Sequence, residues 1–195
     1  MAKRTIGLDV ETSKIPTFHP WQEGAFLVNV GIVDNKGFKK VWLFNHDEMD
    51  PRKEKPQSQK IKEIQNVIDS SDRVVAHNAK FDLNWLRDLG VTVDHRRVYC
   101  TQVAEYIIRG QDKKLKYSLK ATSERYGIAP KQDKVAMYWD SGWETHEIPL
   151  HILNPYLIQD CINTLAIFQK QVPLIRKQGQ EMLTLVDMET MKTLS

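Results

Sequence analysis

Apolar positions fall into short runs in the first half of the chain and into helical stripes in the second. Residues 5–10 read as a short buried strand. Residues 25–34, rich in Val, Ile and Phe, end at the turn signal Asp34-Asn35-Lys36-Gly37, and residues 38–44 follow, so the two runs are predicted to pair as a β-hairpin. The charged, proline-containing stretch 45–59 reads as a surface loop. Ile61, Ile64, Val67 and Ile68 recur at helical spacing, and residues 73–77 form another short strand. Phe81, Trp85, Leu86 and Leu89 share one helical face that ends at Gly90. A last strand is expected at 98–100, helices at 101–109 and 117–126, and a loop at 129–143. Asn154-Pro155 reads as a helix start, with Asn at the N-cap and Pro in the first position, for a helix running to about Gln169; a final helix covers roughly 174–191. Strands come first and alternate with helices later, which places the chain in the α/β class with a mixed sheet.

Composition narrows the picture. The chain has 195 residues, enough for one domain with a real core, and its 41% hydrophobic and 27% charged content is ordinary for a globular protein. A net charge of +3 excludes a chain-wide basic footprint, so nucleic-acid contacts must come from local patches. Cys100 and Cys161 have no metal-binding or redox spacing and read as free thiols in a reducing, cytoplasmic setting. Neither a targeting segment nor a membrane-spanning stretch is expected, and no internal repeat is visible.

Four acidic residues carry the candidate chemistry. Asp9 and Glu11 close the first strand in Gly7-Leu8-Asp9-Val10-Glu11-Thr12. Residues i and i+2 of a strand point to one face, so both carboxylates converge at the C-terminal edge, where open α/β sheets place their sites. Asp82 lies in His77-Asn78-Ala79-Lys80-Phe81-Asp82, between a strand and a helix start, and is placed to add a third carboxylate at that edge. Tyr156 and Asp160 are four apart on one helical face. Carboxylates gathered in one place repel unless cations neutralise them, and their oxygens suit hard ions such as Mg²⁺ or Mn²⁺. Two such ions would hold the attacking water and leaving oxygen of a phosphodiester in line.

At these residues the chain resembles the DEDD exonuclease superfamily in its tyrosine-bearing branch, and is most similar to the proofreading 3′→5′ exonuclease domain of family A DNA polymerases, phage enzymes especially. Asp9-Val10-Glu11-Thr12 resembles the first exonuclease motif, 77–82 with Leu83-Asn84-Trp85-Leu86 the second, and 156–160 the third; the likeness spans about 5–170. It implies a ribonuclease H-like fold, α/β, with a five-stranded mixed β-sheet flanked by helices. It implies that Asp9, Glu11, Asp82 and Asp160 bind two divalent ions (Mg²⁺ or Mn²⁺), that Tyr156 orients the attacking water, and that Thr12, Asn78 and Phe81 contact the strand near its 3′ end. The expected partner is a single-stranded DNA 3′ end, with a DNA polymerase domain or subunit as a second. Residues 1–172 would form the exonuclease domain, and 173–195 a helix resembling the lead-in to a polymerase domain. If phage-encoded, the protein would work in the host cytoplasm. Cys100 stands where many relatives carry an aspartate. Pro155, just before Tyr156, is expected to break the helix and leave the tyrosine movable.

Other residues have competing readings. Tyr138, Trp139 and Trp143 either stack on bases or anchor their own loop, with anchoring favoured for at least one of them. Lys113, Lys114, Lys116, Lys131 and Lys134 are candidate phosphate contacts. His77 reads as structural, and His19, His46, His95, His146 and His151 as surface or capping residues. The functional reading is a 3′→5′ exodeoxyribonuclease that releases nucleoside 5′-monophosphates. Its rivals are a ribonuclease D-like exoribonuclease and a non-cutting single-strand-binding module of a polymerase.

Overall fold

A computed structural model describes residues 3–14, 19–128 and 134–193, with side chains through Glu189. Five strands, β1 (Thr5–Thr12), β2 (Leu27–Asp34), β3 (Lys39–Leu43), β4 (Arg73–Ala76) and β5 (Val98–Cys100), form one sheet in the order β3-β2-β1-β4-β5. The β1–β2 and β2–β3 pairs are antiparallel, and the β1–β4 and β4–β5 pairs are parallel. This is the mixed five-stranded sheet expected of a ribonuclease H-like fold. β1 runs two residues beyond the predicted end, so Glu11 and Thr12 belong to the strand.

Helices cover both faces: α1 (Gln57–Asp69), α2 (Ala79–Asp88), α3 (Thr101–Ile108), α4 (Leu119–Arg125), α5 (Lys134–Asp140), α6 (Leu150–Gln178) and α7 (Glu181–Thr193). The period of two along β1 sorts its side chains. Ile6, Leu8 and Val10 pack with Ile64 and Ile68 of α1 and with Trp85 and Leu86 of α2. On the opposite face Val33, Val75 and Tyr99 meet Ala104 and Ile108 of α3, Cys161, Leu165 and Ile175 of α6, and Met188 of α7.

The second half departs from expectation in three places. Residues 134–140 are helical rather than loop, because Val135, Tyr138 and Trp139 share a helical face and pack with Val28, Ile148 and Leu153; residues 129–133 lie outside the described residues. α6 starts at Leu150, so Asn154 is no cap, and Pro155 sits inside a continuous helix. A proline there removes a single backbone donor, and complete burial of Leu153 and Leu157 on either side of it holds the helix together. Tyr156 therefore rides on an unbroken helix rather than a movable segment. Finally, α6 takes in Pro173 and 174–178, and Gly179, in the left-handed conformation at φ 65°, ends it before α7.

Candidate active site

Two glycines face α6 at close range, Gly7 against its backbone and Gly31 against its side chains. A Cβ on Gly7 would lie 2.5 Å from the backbone oxygen of Cys161, and one on Gly31 would lie 2.6 Å from Leu157 Cγ. Gly31 pairs with Asp9 across the β1–β2 ladder, and Asn29 pairs with Glu11. Gly7, Asp9 and Glu11 alternate on β1, so all three face α6, as do Gly31 and Asn29 of β2. Gly7 meets Cys161 and Leu165, Gly31 meets Leu157 and Cys161, and Asn29 Nδ2 donates to Asn154 Oδ1 at 3.2 Å. α6 thus runs antiparallel to β1 in close contact, and Asp160 is carried onto the two strand carboxylates.

The result is a cluster of Asp9, Glu11 and Asp160, with one carboxylate oxygen from each lying within 4.8 Å of the others. Asp9 and Glu11 are half-buried and Asp160 is buried. Asp82 lies beside this triplet rather than within it. It is 2% exposed on the first turn of α2, and its Oδ1 has no hydrogen-bond partner. β1 pairs with β4 only through Gly7, which leaves the backbone N–H of Val10 free to donate to the Asp82 carboxylate. Burial pushes the Asp82 carboxyl up to about 7. The Cys161 thiol senses the whole group: burial first, then the charges of Asp9, Asp160, Asp82 and Glu11, hold it well above its ordinary value. The four acidic residues singled out from the sequence therefore occupy one corner of the fold.

The donor set fits a hard divalent cation. Every ligand is a carboxylate, three of them converge within 4.8 Å where a cation would offset their mutual repulsion, and Asp82 offers an oxygen with no hydrogen-bond partner among the described residues.

Tyr156 lies one turn before Asp160, half-buried, with its ring edge-on to Trp139 at 5.7 Å between centroids. Trp139 is an anchor, since its indole N–H donates to Thr145 Oγ1 at 3.3 Å. Thr12 ends β1 next to Glu11, and its hydroxyl donates to the Ser13 carbonyl. Asn78 is exposed at the start of α2, while Phe81 is half-buried against Trp85. His77 is structural, as expected. Its Nδ1 accepts from Thr101 and its Nε2 donates to the Tyr117 carbonyl, both at 2.8 Å, and burial lowers its pKa to about 4. His46 is buried, and of the surface and capping readings it fits the second: its Nδ1 accepts from the Glu48 backbone N–H at 3.0 Å, and its Nε2 lies 2.8 Å from the Ile148 carbonyl. Lys113, Lys114, Lys116 and Lys134 are exposed, and Lys131 lies outside the described residues.

Two features escaped the sequence reading. Asn29, fully buried in an otherwise apolar strand, ties β2 to α6 opposite Glu11; a lone amide in the run Leu27-Val28-Asn29-Val30 is the signal for it. Glu105, 0% exposed, accepts hydrogen bonds from Arg109, Arg125, Tyr126 and Gln171, locking α3, α4 and α6 together. Its i,i+4 spacing to Arg109 was visible, but its burial was not.

A ribonuclease H-like sheet whose first strand and crossing helix present clustered carboxylates defines a nuclease-type site. The chain belongs to the 3′–5′ exonuclease family, whose model matches residues 2–176. No curated protein matches it. Among solved structures, Brucella melitensis NrnC with bound Mg²⁺ is 18% identical with a TM-score of 0.66, covering 97% of this chain and 82% of that one. The POL domain of Pol1 from M. smegmatis, in complex with DNA primer-template and dNTP, is 15% identical with a TM-score of 0.58, covering 89% and 24%. The family B DNA polymerase of Pyrobaculum calidifontis is 18% identical with a TM-score of 0.55, covering 89% and 25%. At these identities the likeness is one of fold. Among the described residues, no helix is long and apolar enough to cross a membrane.

Proposed function

We propose that the chain is a divalent-metal-dependent 3′→5′ exodeoxyribonuclease of the tyrosine-bearing DEDD branch, acting on single-stranded or mismatched DNA ends and releasing nucleoside 5′-monophosphates. The convergence of Asp9, Glu11 and Asp160 within 4.8 Å, with Asp82 buried beside them, carries this reading. In it Asp9, Glu11, Asp82 and Asp160 hold two ions, Mg²⁺ or Mn²⁺. Once bound, such ions acidify a water and offset charge on the phosphodiester. The Tyr156 hydroxyl orients the attacking water, and Trp139 fixes the ring that carries it. Thr12, Asn78 and Phe81 line the approach of the 3′ end. A proofreading role alongside a polymerase follows from the motif likeness, with 1–172 as the nuclease unit and 173–195 as the lead-in. α7 packs on the domain through Met188 and leaves Met182, Leu183 and Leu185 exposed.

A second reading, a 3′→5′ exoribonuclease acting on short RNA, draws on coverage. The chain spans 82% of the NrnC chain but only 24% of the mycobacterial polymerase chain. A further NrnC structure is bound to pGG. The test is side-by-side digestion of 5′-labelled single-stranded DNA, single-stranded RNA and DNA duplexes with matched or mismatched 3′ ends, with Mg²⁺ and with EDTA. Faster loss of single-stranded and mismatched DNA than of matched duplex, abolished by EDTA, is the expected result. Preference for RNA selects the second reading. Equal rates on all ends, or cleavage that persists in EDTA, overturns both.

A further inference from the structure

One of the cavities outside the carboxylate site lies next to Tyr156's helix. Between α5 and the first turns of α6 lies an open pocket of about 420 Å³, lined by Lys134, Met137, Tyr138, Ser141, Trp143 and Ile152. Tyr138 and Ile152 root the pocket in the core, and its other apolar residues reach solvent. Trp143 is 43% exposed and Met137 is 69% exposed, although both are large and apolar. The Trp143 ring stands edge-on to Tyr138 at 5.2 Å, so the two aromatics form a fixed corner rather than a loose surface pair. Trp139, next in sequence to Tyr138, turns the other way and packs on Tyr156.

The pocket adjoins the catalytic corner on two sides. Ile152, in its wall, lies one helical turn before Tyr156 on the continuous helix α6, a rise of about 6 Å. Lys14, two residues past the end of β1, donates to the Trp143 carbonyl at 2.9 Å and the Trp139 carbonyl at 3.4 Å, pinning the rim to the strand that carries Asp9 and Glu11. An exposed aromatic corner, with Lys134 in its wall, Lys14 at its rim and Asp160 two helical turns, about 12 Å, further along α6 from Ile152, has the chemistry of a single-strand base platform: a π-face for the base and cations for the backbone.

We infer that the α5–α6 cavity binds an unpaired nucleobase close to the 3′ end of the substrate strand, with Trp143 as the stacking surface. This rests on the exonuclease reading for the identity of the strand, but its test requires no cleavage. Stacking tolerates any base and either sugar, so the cavity serves strand capture rather than sequence choice.

The experiment measures fluorescence anisotropy of a 5′-labelled oligothymidylate pentamer titrated with protein in EDTA, where no hydrolysis proceeds. Parent, Trp143→Ala and Trp143→Phe proteins are compared after thermal melting has shown each to be folded. Trp143→Ala should weaken binding on the order of 10- to 100-fold, the span a single base–aromatic stack carries, and Trp143→Phe should recover most of it. In Mg²⁺, the same Ala variant should raise KM for the pentamer with little change in kcat, because the ring touches the strand and not the reacting bond. Parent-like affinity in Trp143→Ala, or an equal loss in Trp143→Phe, overturns the inference, as does a parent that does not bind the pentamer. Failure of the exonuclease reading would show instead as tight, Trp143-dependent binding with no cleavage in Mg²⁺.

Discussion

Gly7→Ala is the sharpest test of how the fold builds the site. A methyl there would sit 2.5 Å from the Cys161 backbone oxygen and 2.8 Å from Leu165 Cγ. Ordinary contact begins near 3.4 Å, so α6 must retreat by roughly 0.9 Å at Cys161, and a helix backbone has no rotamer with which to step aside. Overpacking of this kind costs about 1–3 kcal/mol, which for a chain of this size lowers Tm by roughly 2–12 °C. Asp160 precedes Cys161 and moves with it. A displacement of about 1 Å in a group that must meet Asp9 and Glu11 costs about 100-fold in rate. Gly31→Ala is the control, because its Cβ meets side-chain atoms of Leu157 and Cys161, which can repack without shifting the helix axis. Melting curves and single-turnover cleavage of labelled single strands in saturating Mg²⁺ should show both variants destabilised but only Gly7→Ala losing on the order of 100-fold in rate. Equal rate losses, or a parent-like rate in Gly7→Ala, would refute the argument that this contact registers the carboxylates.

Within the site, Asp9→Ala or Asp160→Ala should reduce single-strand cleavage by several orders of magnitude, whereas Tyr156→Phe should cost only about 10–10³-fold; a folded Asp160→Ala protein cutting at the parent rate would remove the assignment. Addition of Mg²⁺ to metal-free protein should raise Tm, and Asp160→Ala should abolish that shift; an unchanged shift would place the ion elsewhere. His77 is held neutral by burial, with its folded pKa near 4 against an ordinary 6.5, so its contribution is complete above pH 6.5 and is lost as pH falls from there through 4. That loss amounts to about 3 kcal/mol, but the raised Asp82 carboxyl shifts stability the opposite way over the same range, so the His77 contribution is read as the difference between parent and His77→Gln in Tm against pH; the same pH dependence in both proteins would contradict it. Glu105→Ala strands Arg109 and Arg125 beside an emptied buried site and should cost about 3 kcal/mol or more in urea unfolding, with any rate loss following the loss of fold.

The strands were legible because they are short, apolar and bounded by turn signals, and β1 announced its chemistry through two acids at a spacing of two. The β2–β3 hairpin followed from the turn signal Asp34-Asn35-Lys36-Gly37. Local rules failed where tertiary burial outweighed them. Asn154-Pro155 has the residues of a helix start, yet Leu153 is fully buried against Val28 and Val135, and the helix extends back through it. Residues 134–140 read as loop because charge and aromatics are mixed there, although Val135, Tyr138 and Trp139 already lie on one helical stripe. The site was legible as a set of residue types, but not as a geometry. Nothing local distinguishes Asp82, beside the carboxylate triplet, from the three within it. That separation depends on where β4 stops pairing with β1.

The glycines and the carboxylates do separate jobs on the same face, and this separation bears on whether the chain cuts or merely binds. Gly7, whose Cβ would meet helix backbone, is needed for α6 to lie against the sheet whatever the chain does with a strand end. Three of the carboxylates, Asp9, Glu11 and Asp160, crowd within 4.8 Å, and Asp82 is buried with an unsatisfied oxygen, so repulsion and desolvation weigh against the metal-free site and a bound cation relieves both. A domain that only held single strands would gain stability by replacing buried Asp82 with an amide, with no change in the helix seat. Keeping all four at a cost to the metal-free fold is what catalysis requires and simple binding does not. On this argument Asp82→Asn should melt higher than the parent in EDTA while losing cleavage in Mg²⁺. A lower Tm in EDTA would mean that the buried carboxylate supports the fold, and would remove the strongest physical reason for preferring an enzyme to a binding module.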